Sequence, residues 1–365
     1  MSRRLRLLLT TDAVGGVWTY SLELAAALAA EADVSVLLAT LGPPPTPAQQ
    51  AEAAAIPGLQ LAITDLPLDW IAADEGELRG AAEALAGLAA HAEIDLVQLH
   101  APALAVGPYP VPVISVVHSC VATWWAAVRG GEMPDEFLWR TDLAREGLAR
   151  SALVVTPTRA FARAVQQAYQ LRTLPTAVHN GRSGSITGER AAENCAFTAG
   201  RLWDEGKNLG AFDGAAKLAG IPFKAAGPLN GPNGASIRLP HAQPLGSLSP
   251  AQLAEQLAAR PIFVSAARYE PFGLTVLEAA QAGCPLVLSD IPTFRELWED
   301  AALLIDPHPE SIAATVDLIA SNPAERDRLG AAAKARAARY TARATARSML
   351  HEYHRLHQQE RRAAA

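Results

Sequence analysis

Cysteine is scarce: the chain has three, Cys120, Cys195 and Cys284. An odd number at wide spacing supplies neither a disulfide framework nor a metal-ligand motif, and it suits a reducing compartment. There is no Asp-x-Asp and no His/Cys cluster, so no metal is expected. No apolar run reaches the roughly 18 residues that mark a membrane span. The opening "MSRRLRLLLTTDAVGG" has basic residues before leucines, but its apolar run of about five residues is short for a signal sequence. It reads as a first strand, Leu5 to Thr10, and the expected compartment is the cytoplasm. Lysine is rare, with four residues in the whole chain, and the net charge is −6. That balance argues against nucleic acid as a partner, since phosphate backbones are bound through basic surfaces. An anionic small molecule needs only a local positive site. The loop "TDAVGGVWTY" after the first strand lacks the G-x-G-x-x-G of a dinucleotide-binding oxidoreductase.

What the chain does have is alternation. Half of its 365 residues are apolar and 19% are charged, enough to fill two cores. Short apolar runs ("LRLLLTT", "ADVSVLLAT", "IDLVQLH", "VPVISVVHS", "ALVVTPT") are separated by helical patterns such as "VWTYSLELAAALAA" and "DEFLWRTDLAREGLAR". Runs apolar throughout suit strands covered on both faces, and strand–helix alternation implies a parallel, doubly wound α/β sheet. The pattern breaks at "HNGRSGSITGERAAEN" (179–194), a linker by composition, and then restarts with "CAFTAG", "IPFKAAG", "PIFVSAA", "PLVLSD" and "ALLIDP". Two doubly wound domains are expected. The first is residues 1–186 completed by a C-terminal helix at 341–365, and the second is 187–340. "SPAQ" at 249–252 predicts a helix start with Ser249 as cap and Gln252 closing a capping box. The Ala- and Arg-rich segment from about Ala331 reads as helical nearly to the end, either packed on the protein or in weak peripheral contact with the inner face of a membrane.

The densest chemistry lies in "RYEPFGLTVLEAAQAGCP", residues 268–285. It follows the strand "PIFVSAA", and in an open parallel sheet ligands bind beyond the carboxyl ends of the strands. Gly273 admits close backbone approach, and the N–H groups of Gly273, Leu274 and Thr275 make an anion site at a helix N-terminus. Glu278, one turn into that helix, would repel a phosphate, so its partner should be neutral, such as the vicinal hydroxyls of a ribose. Glu270, before the helix, could accept from hydroxyls on the other side of the anion. A second strand-exit loop, "AGRLWDEGKNL", supplies cations at Arg201 and Lys207.

Together these stretches resemble the GT-B glycosyltransferases of retaining family 4. "EPFGLTVLE" is similar to the family's E-x7-E signature, and "GRLWDEGKN" to its diphosphate-binding Arg and Lys loop. "TTDAVGGVWTYSLELAAAL" resembles its N-terminal Gly-Gly loop and helix, and "VVHS", "VVTPTRAFA" and "HNGRS" resemble further strand ends and the interdomain Asn-Gly. The resemblance spans Thr10 to about Pro307 and implies two facing Rossmann-like domains with an interdomain cleft. It also implies a nucleotide-diphosphate sugar donor (UDP- or GDP-sugar) bound by the C-terminal domain, a hydroxyl-bearing acceptor on the N-terminal side, retention at the anomeric carbon, and no cofactor. Carried over by position, Arg201 and Lys207 would contact the diphosphate, Glu278 the ribose, and Glu270 the transferred sugar. The backbone from Phe272 through Gly273 and Leu274 to Thr275 would line the phosphates. Gly15 and Gly16 would allow donor and acceptor to approach, and His118 would lie near the donor sugar. Asp12 could meet an acceptor hydroxyl or merely shape the glycine turn, and Trp18 could stack on acceptor carbohydrate or pack in a core. The chain departs from the family at "GPLNGPNG", where Gly-x-Gly-Pro is common, and at Arg182 and Ser183, near which an Asp is usual. A sugar-nucleotide epimerase of the same fold and a non-catalytic sugar-nucleotide-binding protein remain as alternatives.

Overall fold

The computed structural model describes residues 4–184, 190–231 and 234–363, with Arg361 and Ala363 described by backbone alone. The chain divides into two compact units. The first comprises the residues up to Trp125, Gly131–Ser183 and those from Ala342 on; the second is Gly184–Thr341 with Ala126–Gly130.

The first unit begins with β1 (Leu5–Asp12), α1 (Gly16–Glu31), β2 (Val34–Leu41), α2 (Pro47–Ala54), β3 (Leu59–Ile63), α3 (Glu75–His91) and β4 (Leu96–Leu99). It continues through β5 (Val113–Val116), α4 (Val121–Val128), α5 (Asp135–Arg150), β6 (Leu153–Thr156), α6 (Arg159–Tyr169) and β7 (Thr176–Ala177). Its seven strands pair in parallel in the order β3-β2-β1-β4-β5-β6-β7. The second unit runs β8 (Ala196–Ala199), α7 (Leu209–Leu218), β9 (Phe223–Ala226), β10 (Gln243–Gly246), α8 (Pro250–Ala258), β11 (Ile262–Ser265), α9 (Leu274–Ala282) and β12 (Leu286–Ser289). It ends with α10 (Pro292–Trp298), β13 (Leu303–Ile305), α11 (Pro309–Ala320) and α12 (Pro323–Ala337), with a parallel sheet in the order β10-β9-β8-β11-β12-β13. Both sheets are doubly wound. Chain order reverses between β1 and β4 in one and between β8 and β11 in the other.

Local rules account for many element ends. Ser249 accepts from the Gln252 N–H and the Gln252 side chain returns to the Ser249 N–H, so α8 starts with the anticipated capping box. Gly283 closes α9 at φ 80°, where a left-handed residue ends a helix and glycine fits at no steric cost. One helix expectation needs correction. The Ala/Arg-rich C-terminal stretch is two helices, α12 ending at Ala337 and α13 at Ala342–Ala363. Tyr340 makes the break: its ring packs against Phe272 and Trp298 and its hydroxyl donates to the Leu297 carbonyl at 3.1 Å.

The final helix α13 packs on the first unit. Ala346, Met349, Leu350, Tyr353 and Leu356 recur on one face and enter the core with Leu7, Leu9, Trp18, Leu24 and Val36. Two of its arginines, Arg343 and Arg347, both hold Glu31 and lower the pKa of that carboxyl. Among the described residues no helix is long and apolar enough to cross a membrane.

Met349 is fully buried in this cluster, whereas Leu318 on α11 is 59% exposed. Met349→Ala is expected to lower stability by about 2–5 kcal/mol, and Leu318→Ala by no more than about 0.5 kcal/mol. Urea unfolding followed by tryptophan fluorescence measures both, and equal losses would contradict the packing of α13.

Candidate functional site

In the second unit the reversal of strand order sets the exits of β8 and β11 side by side, the position at which open parallel sheets present ligand sites. The chain leaves β8 through Gly200, whose N–H donates to Ala226 O at 3.0 Å. Gly227 lies so close that a Cβ there would stand 1.8 Å from Gly200 O, so only glycine fits. Beyond it Arg201 pairs with Asp204 at 3.1 Å, and Asp204 also accepts from the Gly206 N–H, capping a short 3-10 turn that ends at Lys207. Asn208, at φ 53°, turns the chain into α7.

The β11 exit is tied to this turn by backbone. Arg268 N and Tyr269 N both donate to Gly206 O, at 2.8 and 3.3 Å. The next residue, Glu270, is held twice. Its carbonyl accepts from Thr293 Oγ1 at 2.6 Å, and its carboxylate accepts from Lys207 Nζ at 2.5 Å. Gly273 follows at φ 87°, and a Cβ there would press on Val276 and Glu270 at 3.1 and 3.3 Å. Its glycine identity therefore rests on both backbone and space. α9 begins at once, with no side-chain cap.

These loops line one small depression, with Thr198, Gly200, Arg201, Lys207, Glu270 and Thr275 among the residues around it. The Lys207 and Glu270 side chains are 23% and 13% exposed, while Arg201 at 54% reaches further into solvent. The structure thus gathers Arg201, Lys207, Glu270 and Thr275 around one cavity. Leu274 is half-buried at the helix start, and Phe272 turns its ring into the core beside Tyr340, leaving only its backbone to the loop. Glu278 lies half-buried one turn along α9 and is not among the residues that line this cavity. Among the described residues no three His, Cys, Asp or Glu side chains are placed to hold a metal ion.

Sequence reasoning did not find Asp204 or Thr293. Asp204 could have been suspected as the cap before a turn, but nothing local to "SDIPTFREL" marks Thr293 as a partner of residue 270.

In the first unit, Asp12 ends β1 and its Oδ1 accepts from Val14 N and Gly15 N at 2.8 and 2.9 Å, so it shapes the glycine turn. Gly15 is extended, at φ −146°, and caps α1, which begins at Gly16. Trp18 is 5% exposed, and its indole N–H donates to Glu52 at 3.2 Å. Of the two readings open for it, packing in a core is the one its burial fits.

His118, just beyond β5, packs edge-on against Tyr20 and His100, with ring centroids at 4.5 and 4.9 Å. Its Nε2 is buried with no hydrogen-bond partner. Burial pushes the His118 pKa down to about 4, so the ring is neutral near pH 7. Arg182, where the family resemblance leads one to look for an Asp, donates to Glu23 on α1 at 2.8 Å, and Ser183 N donates to the same carboxylate at 3.1 Å. The loop "GPLNGPNG" falls partly outside the described residues.

Comparison with known proteins agrees with this architecture. Residues 14–183 match Glycosyltransferase Family 4, and residues 239–336 match Glycosyl transferases group 1. Among solved structures, sucrose-phosphate synthase from Thermosynechococcus elongatus superposes with a TM-score of 0.78 at 18% identity, covering 97% of this chain and 99% of that one. Anabaena HepE in complex with UDP-glucose gives 0.73 at 16% identity, covering 96% and 100%. WaaG, a glycosyltransferase involved in lipopolysaccharide biosynthesis, gives 0.70 at 13%, covering 94% and 98%. At these identities the likeness establishes the GT-B fold. A curated relative, the O-antigen biosynthesis glycosyltransferase WclY of Escherichia coli, is 44% identical over 45 residues. That match spans 12% of this chain and 13% of the relative's length. With both halves of the chain matched and the fold in agreement, this protein belongs to the group 1 glycosyltransferases of family 4.

Proposed function

We propose that this chain is a retaining glycosyltransferase that moves a sugar from a nucleoside-diphosphate sugar, with uridine or guanosine as the nucleoside, to a hydroxyl of an acceptor. The observation that carries the reading is the joint position of Arg201, Lys207, Glu270 and the α9 N-terminus around one cavity. The UDP-glucose complex of the structurally similar Anabaena protein supports a sugar nucleotide as the ligand class.

The chemistry follows from charge. As the bond between the anomeric carbon and the phosphate oxygen breaks, negative charge grows on the diphosphate. Lys207, Arg201 and the free N–H groups of α9 would stabilise it. Front-side attack forms the new bond from acceptor oxygen to anomeric carbon on the face the phosphate leaves, and the departing phosphate oxygen takes the acceptor proton. Glu270 would hold sugar hydroxyls rather than act as a covalent nucleophile, since Lys207 already occupies its carboxylate. Glu278 would grip the ribose. His118, neutral, would meet a hydroxyl of the transferred sugar through the ring nitrogen that is not buried. Asp12 and Gly15 belong to the acceptor side in this reading.

Arg201→Ala and Lys207→Ala are each expected to cut kcat/KM by at least about 10²-fold, the scale of losing one transition-state charge contact. Steady-state kinetics of both variants decides this, and near-normal turnover in both would remove the assignment. With these fixed cations present, transfer should persist in EDTA; loss on chelation that magnesium or manganese restores would contradict it.

The two glutamates should separate by ligand. Glu278→Ala should weaken both the free nucleoside diphosphate and the intact donor by on the order of 1.5–3 kcal/mol, the loss of hydrogen bonds to a charged acceptor. Glu270→Ala should leave nucleoside diphosphate binding at or above the wild-type level, because it also releases Lys207, while transfer falls sharply. Calorimetric titration of both variants with both ligands tests the division, and equal weakening of nucleoside diphosphate binding would end it. Turnover of donor with acceptor separates the transferase from a protein that only binds sugar nucleotides.

A further inference from the structure

His118 has a buried Nε2 without a hydrogen bond, so ring contacts with Tyr20 and His100 are what orient it. One of those rings, His100, is tethered to Gln98 of β4, whose Nε2 lies 2.8 Å from His100 Nε2. Gln98 is 2% exposed and reaches a third element through its other end: its Oε1 accepts from the Tyr353 hydroxyl at 2.5 Å. Tyr353 is fully buried on α13 and lies 255 residues further along the chain.

The bonds of this chain run in one consistent direction, which can be read from its Ser21 end and is closed by Tyr353 at the other. Ser21 Oγ donates to Val17 O at 2.8 Å, the usual back-bond of a serine inside a helix. Having given its one proton, Ser21 can only accept from His100 Nδ1, 3.4 Å away. His100 therefore carries its proton on Nδ1, its Nε2 accepts, and the Gln98 amide must present N–H to it. The Gln98 oxygen is thereby turned to Tyr353, which donates. The sequence of donors runs from Tyr353 through Gln98 and His100 to Ser21 and Val17, in the first turns of α1. Thr10 Oγ1 accepts the His100 backbone N–H at 3.0 Å, and no carboxylate takes part in the set. Burial and the neighbouring His118 lower the His100 pKa well below its ordinary value, in keeping with a neutral ring.

We infer that Tyr353 is a positioning residue for His118. By fixing the orientation of the Gln98 amide, it locks His100 as a neutral ring protonated on Nδ1, and so holds the ring against which His118 packs. The functional part rests on the reading that His118 meets the transferred sugar. Without the Tyr353 hydroxyl the amide is free to turn over, its oxygen then faces His100 Nε2, and the other tautomer becomes competitive.

The test uses the full chain and the variants Tyr353→Phe, Gln98→Met and the double variant. Ring 15N shifts of His100 should report Nδ1–H in the wild type and a mixture of tautomers in Tyr353→Phe. In the same variant kcat/KM for transfer should fall about ten- to a hundredfold, the cost of a misplaced group near the chemistry, with nucleoside diphosphate affinity unchanged. Because Tyr353 acts through Gln98, the double variant should match Gln98→Met alone in both measurements. An Nε2–H wild type, an unchanged tautomer in Tyr353→Phe, or additive effects in the double variant would overturn the proposal. The tautomer measurement needs no turnover, so it stands or falls separately from the glycosyltransferase reading.

Discussion

The contact between Lys207 and Glu270 joins two loops separated by 63 residues of chain, and the second unit's site is arranged around it. A partly buried ion pair adds little net stability, because both charges lose water to form it, yet removing one partner leaves the other poorly compensated. Its effect here is on position. The turn ending at Lys207 is already tied to the β11 exit by two N–H groups on Gly206 O, and Thr293 fixes the Glu270 carbonyl. The ammonium and the carboxylate thus meet on backbones held independently of them. In the proposed reading, an anion entering the cavity would find a lysine whose place is set in advance, which would reduce the reorganisation that binding requires.

Apart from Asp12, which shapes the turn after β1, the first unit groups neutral polar side chains. Where the second gathers cations and a carboxylate, Gln98 and His100 at the exit of β4 and His118 beyond β5 meet Tyr20 of α1 and Tyr353 of α13. Buried polar groups cost most when unpaired. The cluster is satisfied at nearly every atom; the exception is His118 Nε2. The Glu23 carboxylate follows the opposite rule, taking Arg182 and Ser183 from a segment whose composition looks like plain linker.

Much of this was readable beforehand, for identifiable reasons. Strand–helix alternation is periodic and local, so the two parallel sheets and the capping box at Ser249 could be foreseen from spacing. Glu270, Gly273 and the Arg201–Lys207 loop could be singled out because they sit at strand exits, a rule of topology rather than of contact, whereas Glu278, chosen with them, lies along α9 away from the residues that line the cavity. What escaped was long-range pairing. Nothing near Gln98 names Tyr353, and nothing near Glu270 names Thr293. Trp18 was open to two readings because an aromatic at helical spacing serves a core or a binding face equally well until its neighbours are known. The boundary at 340/341 anticipated a separate C-terminal helix, but its cause was not legible: alanine and arginine, both strong helix formers, run through the segment, and the pull of Tyr340 into the core at Phe272 and Trp298 overrides that propensity.

The return of α13 to the first unit governs the order in which this protein can be completed. The core around Leu7, Leu9 and Val36 contains Ala346, Met349, Leu350, Tyr353 and Leu356, so a nascent chain that has emerged only as far as Thr341 lacks part of that core. The second unit draws its two buried clusters from residues 196–340 and has no such debt to a later segment. During synthesis the later-made unit can therefore reach its native packing first, while the earlier-made one waits with apolar surface open to chaperones or to misassociation. A chain halted before Ala346 would carry a first unit with an unfinished core, although nearly every other residue of that unit had long since been made.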